Sequence, residues 1–254
     1  MTAPPPLAVQ LWTLRDELVA DAASTLKQVA AIGYAGVEAV LLPGLDAARL
    51  RALCDDLGLV VCAAHLPLPD GPDAQRVLDD AGTLGVRELV VTPGPECWRD
   101  LDSLRGYAER VDAGLVLAHE AGFRLGYHNH DWEFATLEGR LAYDVFLELV
   151  DPALALEVDL YWAAVAGQDL PALMRRLGDR VELLHVKDGP LDPPEPMVAV
   201  GEGVVDLLGA LRAAEHARWH IVELDSCAGS PLAAVERSHD FLTSTGLSTG
   251  AGRG

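Results

Sequence analysis

The sequence contains few cysteines and no long apolar run. Its four cysteines (Cys54, Cys62, Cys97 and Cys227) lie far apart and form no C-x-x-C pair. This pattern argues against a zinc knuckle or a disulfide framework and favours buried free thiols. The longest apolar runs, such as LVVCAAHL, are far shorter than the roughly 20 residues of a membrane span, and the start MTAPPPLAVQ lacks the basic and apolar regions of a signal peptide. We therefore expect a soluble, cytoplasmic protein without a membrane partner.

Positive charge is also scarce. The chain of 254 residues has 19 Lys and Arg against 39 Asp and Glu, which gives a formal net charge of −20. Such a charge repels phosphate backbones and removes the electrostatic attraction that dominates nucleic-acid affinity. The sequence also has neither G-x-G-x-x-G nor G-x-x-x-x-G-K, the glycine-rich loops that bind nucleotides. DNA and RNA are therefore poor partner candidates.

What the sequence does have is a regular alternation of short apolar, β-branched segments with longer segments of helical period. Glycine follows several of the predicted helices, at Gly33, Gly58, Gly85 and Gly122, where it can end a helix before the next strand. Eight such units in one compositional regime favour an α/β fold, a single-domain (β/α)₈ TIM barrel over residues 1–245, followed by a flexible Gly/Ser/Thr-rich tail at 246–254. The predicted strands are 7–13, 36–41, 59–65, 88–93, 123–129, 154–160, 181–187 and 219–225.

Polar residues stand near the carboxyl ends of these otherwise apolar strands, where a barrel of this kind places its active site. They are Glu38, His65, His128, His130, Asp159, His185, Lys187 and Glu223. Burying such groups costs several kcal/mol each unless they are paired or bind a metal, so their repetition on neighbouring strands indicates a purpose. Asp159, His185 and Glu223 lie on three consecutive strands, and this mixed carboxylate and imidazole set suits Mn²⁺, Co²⁺, Zn²⁺ or Mg²⁺.

Other polar and aromatic residues leave two interpretations open. Glu38 and His65 can serve the active site or make structural hydrogen bonds. Lys187 can contact a substrate oxygen or form an ion pair with Asp188 or another carboxylate. Trp162 can pack against a sugar ring or fill the core, and the same holds for Trp12 at the predicted end of the first strand.

Five segments, taken in order, resemble those of the sugar phosphate isomerase/epimerase family, the xylose isomerase-like TIM barrels: GYHNHDWEF, LEVDLYWAAVAG, LLHVKDG, VGEG and HIVELD. The resemblance implies one divalent ion, often Mn²⁺, held by a Glu, an Asp, a His and a Glu from strands five to eight. The last three of these ligands correspond to Asp159, His185 and Glu223. Where the family has the first glutamate, this chain has Tyr127-His128-Asn129-His130, so either His128 replaces it or Glu133 folds back onto the ion.

The resemblance and the residues together predict an enzyme that isomerises or epimerises a sugar, keto-sugar or inositol derivative through an enediolate. Glu223 is the expected base, with Glu133 or His128 across the substrate. The expected substrate-binding residues are His65, His130, Lys187, Trp162 and Glu38. The alternatives are a dehydratase or lyase on a keto-sugar or keto-inositol and a non-catalytic barrel that binds metal and sugar, whereas the acidic charge disfavours an AP endonuclease. Barrels of this kind often pair, so a homodimer is compatible with this prediction.

Overall fold

The computed structural model describes residues 3–251, and in it the eight predicted strand segments form one closed parallel barrel. Each strand pairs with its neighbours along the chain, and the last strand pairs with the first. The (β/α)₈ prediction is therefore confirmed. The strands are β1 Leu7–Gln10, β2 Gly36–Val40, β3 Val60–His65, β4 Glu88–Val91, β5 Arg124–His128, β6 Ala155–Asp159, β7 Val181–Val186 and β8 Trp219–Val222.

Helices surround the barrel and connect its strands. Within residues 3–251 they are α1 Arg15–Ile32, α2 Ala47–Leu57, α3 Ala74–Leu84, α4 Leu101–Glu120, α5 Ala142–Leu149, α6 Leu160–Val165, α7 Leu170–Leu177, α8 Leu207–Ala213 and α9 Pro231–Ser244. Gly58 and Gly85 end α2 and α3 with φ values of 69° and 71°, a left-handed conformation that glycine adopts at little cost. Every helix in this part of the chain is too short or too polar to span a lipid bilayer.

The first and last strands are shorter than predicted. After Gln10 the chain turns into a 3₁₀ helix, Leu11–Leu14, which begins where the Gln10 side-chain oxygen accepts a hydrogen bond from the backbone N–H of Trp12. Trp12 therefore does not lie on β1, and its side chain is 42% exposed. The last strand ends at Val222, so Glu223 lies just beyond it.

The interior of the barrel changes from apolar to polar along the strands. Small and aliphatic residues fill its lower part: Ala8, Cys62, Ala63, Val90, Leu183 and Ile221. Because side chains on a strand alternate between its two faces, residues two positions further on point into the same interior. Those positions include Gln10 after Ala8, His65 after Ala63, His185 after Leu183 and Glu223 after Ile221. An apolar floor thus supports a polar layer at the carboxyl end of the barrel.

The segment that the sequence marks as a tail is in contact with the barrel over its described part. The carbonyl of Thr249 accepts a hydrogen bond of 2.8 Å from the N–H of Leu7, and the N–H of Thr249 donates one of 2.9 Å to Pro5. Ser248 is buried, with its hydroxyl 2.8 Å from Nδ1 of His220. Residues 247–250 therefore pack against the amino-terminal end of the barrel, and residues 252–254 lie outside the described residues.

All four cysteines are free. Cys54 and Cys62 are buried, as predicted. Cys97 and Cys227 are only partly buried; they lie in a 3₁₀ helix after β4 and in the loop after β8, at the edge of the core.

Candidate metal centre

A pocket of about 190 Å³ opens at the carboxyl ends of the strands. Its walls come from the strand ends and the loops that follow them, and they are formed by Gln10, Trp12, Val40, His65, Thr92, His128, His130, Glu223 and Asp225. This is the end of the barrel where the sequence predicts the active site.

Four ligand-type atoms converge beside this pocket, one each from His128, Asp159, His185 and Glu223, all within 4.8 Å of one another. The register of the sheet explains their meeting, since Asp159 is paired with His185 across β6 and β7. Nδ1 of His185 lies 2.7 Å from Oε2 of Glu223 and 4.0 Å from Oδ2 of Asp159. Nε2 of His128 lies 3.7 Å from Oδ2 of Asp159. We call these four residues the upper group.

The upper group fits a divalent cation. Oδ2 of Asp159 and Nδ1 of His185 are buried and make no well-directed hydrogen bond among the described residues. Their charged neighbours are the ammonium of Lys187, 2.9 Å from Oδ2, and Oε2 of Glu223, 2.7 Å from Nδ1, so both atoms are available to a cation. The other carboxylate oxygen of Asp159 is held by the N–H of Trp162 at 2.9 Å, which fixes the side chain. Two imidazoles and two carboxylates are also a ligand set that Mn²⁺, Co²⁺ and Zn²⁺ accept.

Two further carboxylates, Glu38 and Glu157, lie beneath the upper group and are fully buried. Oε1 of Glu157 lies 2.9 Å from Nδ1 of His128 and 2.8 Å from Nε2 of His65. Oε2 of Glu38 lies 2.6 Å from Nε2 of His185. Glu157 is a site residue that the sequence analysis missed, although it stands two residues before Asp159 and so points to the same side of β6.

The pKa values of these two carboxylates are shifted in opposite directions. Burial, reinforced by the charge of Glu157, raises the pKa of Glu38 to about 7. Burial also opposes ionisation of Glu157, but the neighbouring His185 and His65 outweigh it and hold the pKa of Glu157 well below its ordinary value. Glu157 is therefore the carboxylate that stays ionised among these histidines.

Lys187 is buried among carboxylates of the upper group. Its Nζ lies 2.6 Å from Oε2 of Glu223, 2.9 Å from Oδ2 of Asp159 and 2.8 Å from Oδ2 of Asp225. Asp188, a partner that the sequence suggested, instead accepts backbone hydrogen bonds from the loop that follows β7. Burial opposes the charge on Lys187, but Asp159 and Glu223 raise its pKa well above the ordinary value.

On strand five the structure brings His128 into the upper group and does not bring Glu133 there. Glu133 is fully buried, and its two oxygens accept hydrogen bonds from the Tyr127 hydroxyl at 2.6 Å and from the N–H of His130 at 2.9 Å. The 3₁₀ helix Trp132–Phe134 turns the side chain back toward its own strand. The expected metal and catalytic roles of Glu133 have no geometric basis, because it lies neither in the upper group nor in the pocket wall.

The family model described as "Xylose isomerase-like TIM barrel" matches residues 26–245. The chain belongs to this family. A comparison of the sequence with curated proteins found no match.

Several solved structures are similar in fold to this xylose isomerase-like barrel. A sugar phosphate isomerase/epimerase from Parabacteroides distasonis ATCC 8503 is 23% identical, with a TM-score of 0.80 and coverage of 95% of this chain and 94% of that one. An L-ribulose 3-epimerase is 17% identical, with a TM-score of 0.71 and coverage of 96% and 94%. A probable 3-DHS dehydratase from Bacillus anthracis is 14% identical, with a TM-score of 0.73 and coverage of 94% and 98%. At these identities the likeness establishes the fold.

The predicted substrate-binding residues of the xylose isomerase-like barrel fall into two sets. His65 and His130 line the pocket, and the ring of His130 stacks on Trp132 with centroids 4.2 Å apart. Glu38, Lys187 and Trp162 do not belong to the pocket wall. Glu38 lies beneath the upper group, whereas Lys187 and the indole N–H of Trp162 both donate to the carboxylate of Asp225.

Asp225 and Thr92 line the pocket although the sequence analysis did not select them. Asp225 stands two residues after Glu223, so strand alternation was again the available signal. Thr92 follows β4, a strand whose carboxyl end carries no charged residue, and its hydroxyl lies 3.4 Å from Nδ1 of His65. Asn129, which lies between two pocket histidines, binds the backbone and does not line the pocket. Its side-chain oxygen accepts a hydrogen bond of 3.1 Å from the N–H of Asp159.

Proposed function

We propose that the protein is a divalent-metal-dependent enzyme of the isomerase/epimerase type, which moves a proton at the carbon next to a carbonyl of a sugar, keto-sugar or inositol derivative. The observation that carries this proposal is the convergence of four buried ligand atoms beside an open pocket at the carboxyl end of the barrel. His128, Asp159, His185 and Glu223 would hold the ion, with Mn²⁺ our first choice. A divalent ion there would polarise a carbonyl and its neighbouring hydroxyl and make the adjacent C–H more acidic.

Glu223 is the base in this proposal. It is the upper-group carboxylate that also lines the pocket. Burial opposes its ionisation, but the ammonium of Lys187 and His185 hold the pKa of Glu223 well below its ordinary value. An ionised carboxylate that reaches the pocket can accept a proton from a bound substrate.

The pocket favours one small polar molecule. Its volume of about 190 Å³ is below the range of roughly 300–1,000 Å³ for sites that bind drug-sized ligands. Histidines, a glutamine and carboxylates offer hydrogen bonds to hydroxyl groups, and Trp12 and Val40 offer apolar surface. A monosaccharide or cyclitol matches this combination, whereas a polymer does not.

Solvent deuterium exchange tests the proposal. Protein loaded with Mn²⁺ is incubated in deuterated water with a panel of aldoses, ketoses and keto-inositols, and incorporation is read by NMR. We expect deuterium at the carbon next to the carbonyl of at least one compound, loss of exchange after chelation, and recovery when Mn²⁺ is restored. Fully loaded protein that exchanges no compound but binds one of them would identify a non-catalytic sugar-binding barrel.

A second candidate function, the elimination of water from a keto-sugar or keto-inositol, is favoured by His65. This residue lines the pocket together with Glu223. Burial alone would lower the pKa of His65, but the carboxylates of Glu38 and Glu157 raise it above the ordinary value. The imidazolium could protonate a leaving hydroxyl after Glu223 has removed the proton from carbon. If elimination is the reaction, His65→Gln should stop product formation and leave deuterium exchange in place.

A further inference from the structure

We propose that Glu157 and Glu38 are positioning residues that fix the two ligand histidines in opposite tautomers, with Nε2 of His128 and Nδ1 of His185 facing the ion. This inference rests on the proposed metal centre. It concerns groups that lie beneath the ion and do not themselves reach the pocket.

The contacts of His128 give the first half of the inference. Its Nδ1 lies 2.9 Å from Oε1 of Glu157, and its Nε2 lies on the other side, 3.7 Å from Oδ2 of Asp159. A neutral imidazole carries one N–H and one lone pair. If Nδ1 donates its proton to Glu157, the lone pair of Nε2 faces the upper group.

In His185 the roles of the two ring nitrogens are exchanged relative to His128. Its Nε2 lies 2.6 Å from Oε2 of Glu38 and 2.9 Å from Oε1 of Glu157. Its Nδ1 is buried and lies 2.7 Å from Oε2 of Glu223, another member of the upper group, without a well-directed hydrogen bond to any described residue. With Nε2 as the donor, the lone pair of Nδ1 faces the upper group.

The two carboxylates are themselves held in place. The side-chain amide of Gln10 donates a hydrogen bond of 2.8 Å to Oε2 of Glu38, and Nε2 of His65 lies 2.8 Å from Oε1 of Glu157. A carboxylate behind a ligand histidine fixes the ring and increases its basicity, and loss of such a partner typically weakens metal binding 10–100-fold.

A competing arrangement would place the ion lower, among His65, His128, Glu157 and His185, whose ligand atoms also lie within 4.8 Å of one another. Glu157 would then be a ligand, and each of the two shared histidines would bind through its other nitrogen. One oxygen of Glu157 already lies 2.8–2.9 Å from nitrogens of three imidazoles, which is hydrogen-bond distance. Atoms without a well-directed hydrogen bond occur in both groups, but the upper group has two, Oδ2 of Asp159 and Nδ1 of His185, and the lower group has one, Oε2 of Glu157, so we place the ion in the upper group.

Histidine NMR distinguishes the two arrangements. The wild-type protein is labelled with ¹⁵N-histidine and loaded with diamagnetic Zn²⁺, and long-range ¹H–¹⁵N spectra show which ring nitrogen carries the proton. We expect a protonated Nδ1 on His128 and a protonated Nε2 on His185. The reversed pattern, or the same nitrogen protonated on both rings, would overturn the inference. Failure of the wild-type protein to bind any divalent ion would instead count against the metal centre and so against the proposed function.

Substitutions supply a second readout. Glu157→Gln and Glu38→Gln should each weaken Zn²⁺ and Mn²⁺ binding 10–100-fold in a competition titration with a chromophoric chelator. Glu157→Gln should move the ring N–H signal of His128, whereas Glu38→Gln should move that of His185 and leave that of His128. The matched control is Glu88→Gln, which alters another buried glutamate at the opposite end of the barrel. Affinities within twofold of wild type in both site variants, with unchanged N–H signals, would contradict the positioning role.

Discussion

The two ends of the barrel both contain buried or half-buried charged residues, but the charges are arranged differently. At the amino-terminal end, two arginines and two glutamates form a closed set in which Arg124 and Arg218 each pair with both Glu88 and Glu182. At the carboxyl end, five carboxylates lie within ion-pair distance of one lysine, Lys187, and three histidines among the described residues. The carboxylates are Glu38, Glu157, Asp159, Glu223 and Asp225.

The comparison indicates what each end is for. Equal numbers of opposite charges at the amino-terminal end satisfy one another and need no further ligand. At the carboxyl end, burial raises the pKa of Asp159 to about 6 and that of Glu38 to about 7, despite the neighbouring lysine and histidines. Under the proposed function a divalent ion would supply further positive charge at this end, so we interpret the excess of acid there as a sign of function and the balance at the other end as a contribution to stability.

The largest expected effect comes from removing a ligand of the upper group. Asp159→Ala, His185→Ala and Glu223→Ala should each lower metal affinity by about 1,000-fold or more, which is about 4 kcal/mol at 1.4 kcal/mol per tenfold. The measurement is elemental analysis of bound metal after gel filtration. As a control, Mn²⁺ at 100 times its dissociation constant should stabilise the wild-type fold by about 2.7 kcal/mol and leave the variants unchanged. Full retention of metal in all three variants would refute the site.

The same loss should separate the two strand-five candidates. His128→Ala should weaken metal binding by about 1,000-fold, or about 4 kcal/mol, as removal of the other upper-group ligands does. Glu133→Ala should leave binding within a few fold, because its oxygens are engaged by Tyr127 and by the backbone of His130. The two variants are compared in one calorimetric titration series with Mn²⁺. The opposite ranking would make Glu133 the fourth ligand.

At the amino-terminal end, His220 should make stability depend on pH. Burial lowers the pKa of His220 to about 4, so between pH 6.5 and 4 the unfolded chain binds a proton that the folded protein does not. Stability from this group is therefore complete above pH 6.5 and is lost as the pH falls toward 4, by about 3.4 kcal/mol at 1.36 kcal/mol per pKa unit. Urea denaturation of the metal-free protein and of His220→Gln at several pH values measures it, and a constant difference between the two would contradict this assignment.

The smallest effect is expected from the balanced set of charges itself. Arg218→Ala should cost about 1 kcal/mol, because the arginine side chain is 42% exposed and solvent screens such pairs. The difference should shrink in 1 M salt, where the Debye length is about 3 Å. Denaturation midpoints measure the loss, and metal affinity should stay at the wild-type value. Weaker metal binding in this variant would mean that the two ends of the barrel are not independent.

The order of the strands could be predicted from the sequence, because eight apolar segments alternate with helical ones and glycine follows several of the predicted helices. The ends of the strands could not be predicted in this way. For example, β1 ends at Gln10 because the side-chain oxygen of Gln10 accepts a hydrogen bond from the backbone N–H of Trp12. The convergence of Asp159, His185 and Glu223 followed from their places at neighbouring strand ends. Glu157 could have been recognised by alternation with Asp159, but the strand-five choice could not, because it depends on the hydroxyl of Tyr127 reaching Glu133 across a loop.

The pairing of Thr249 with Pro5 and Leu7 has a practical consequence. Both described ends of the chain come together at the amino-terminal end of the barrel, on the face opposite the pocket. A sensor surface, fluorophore or fused domain attached through either end would therefore leave the carboxyl-end pocket facing solution. Immobilised protein should accept small ligands as readily as free protein, whichever end is used for attachment.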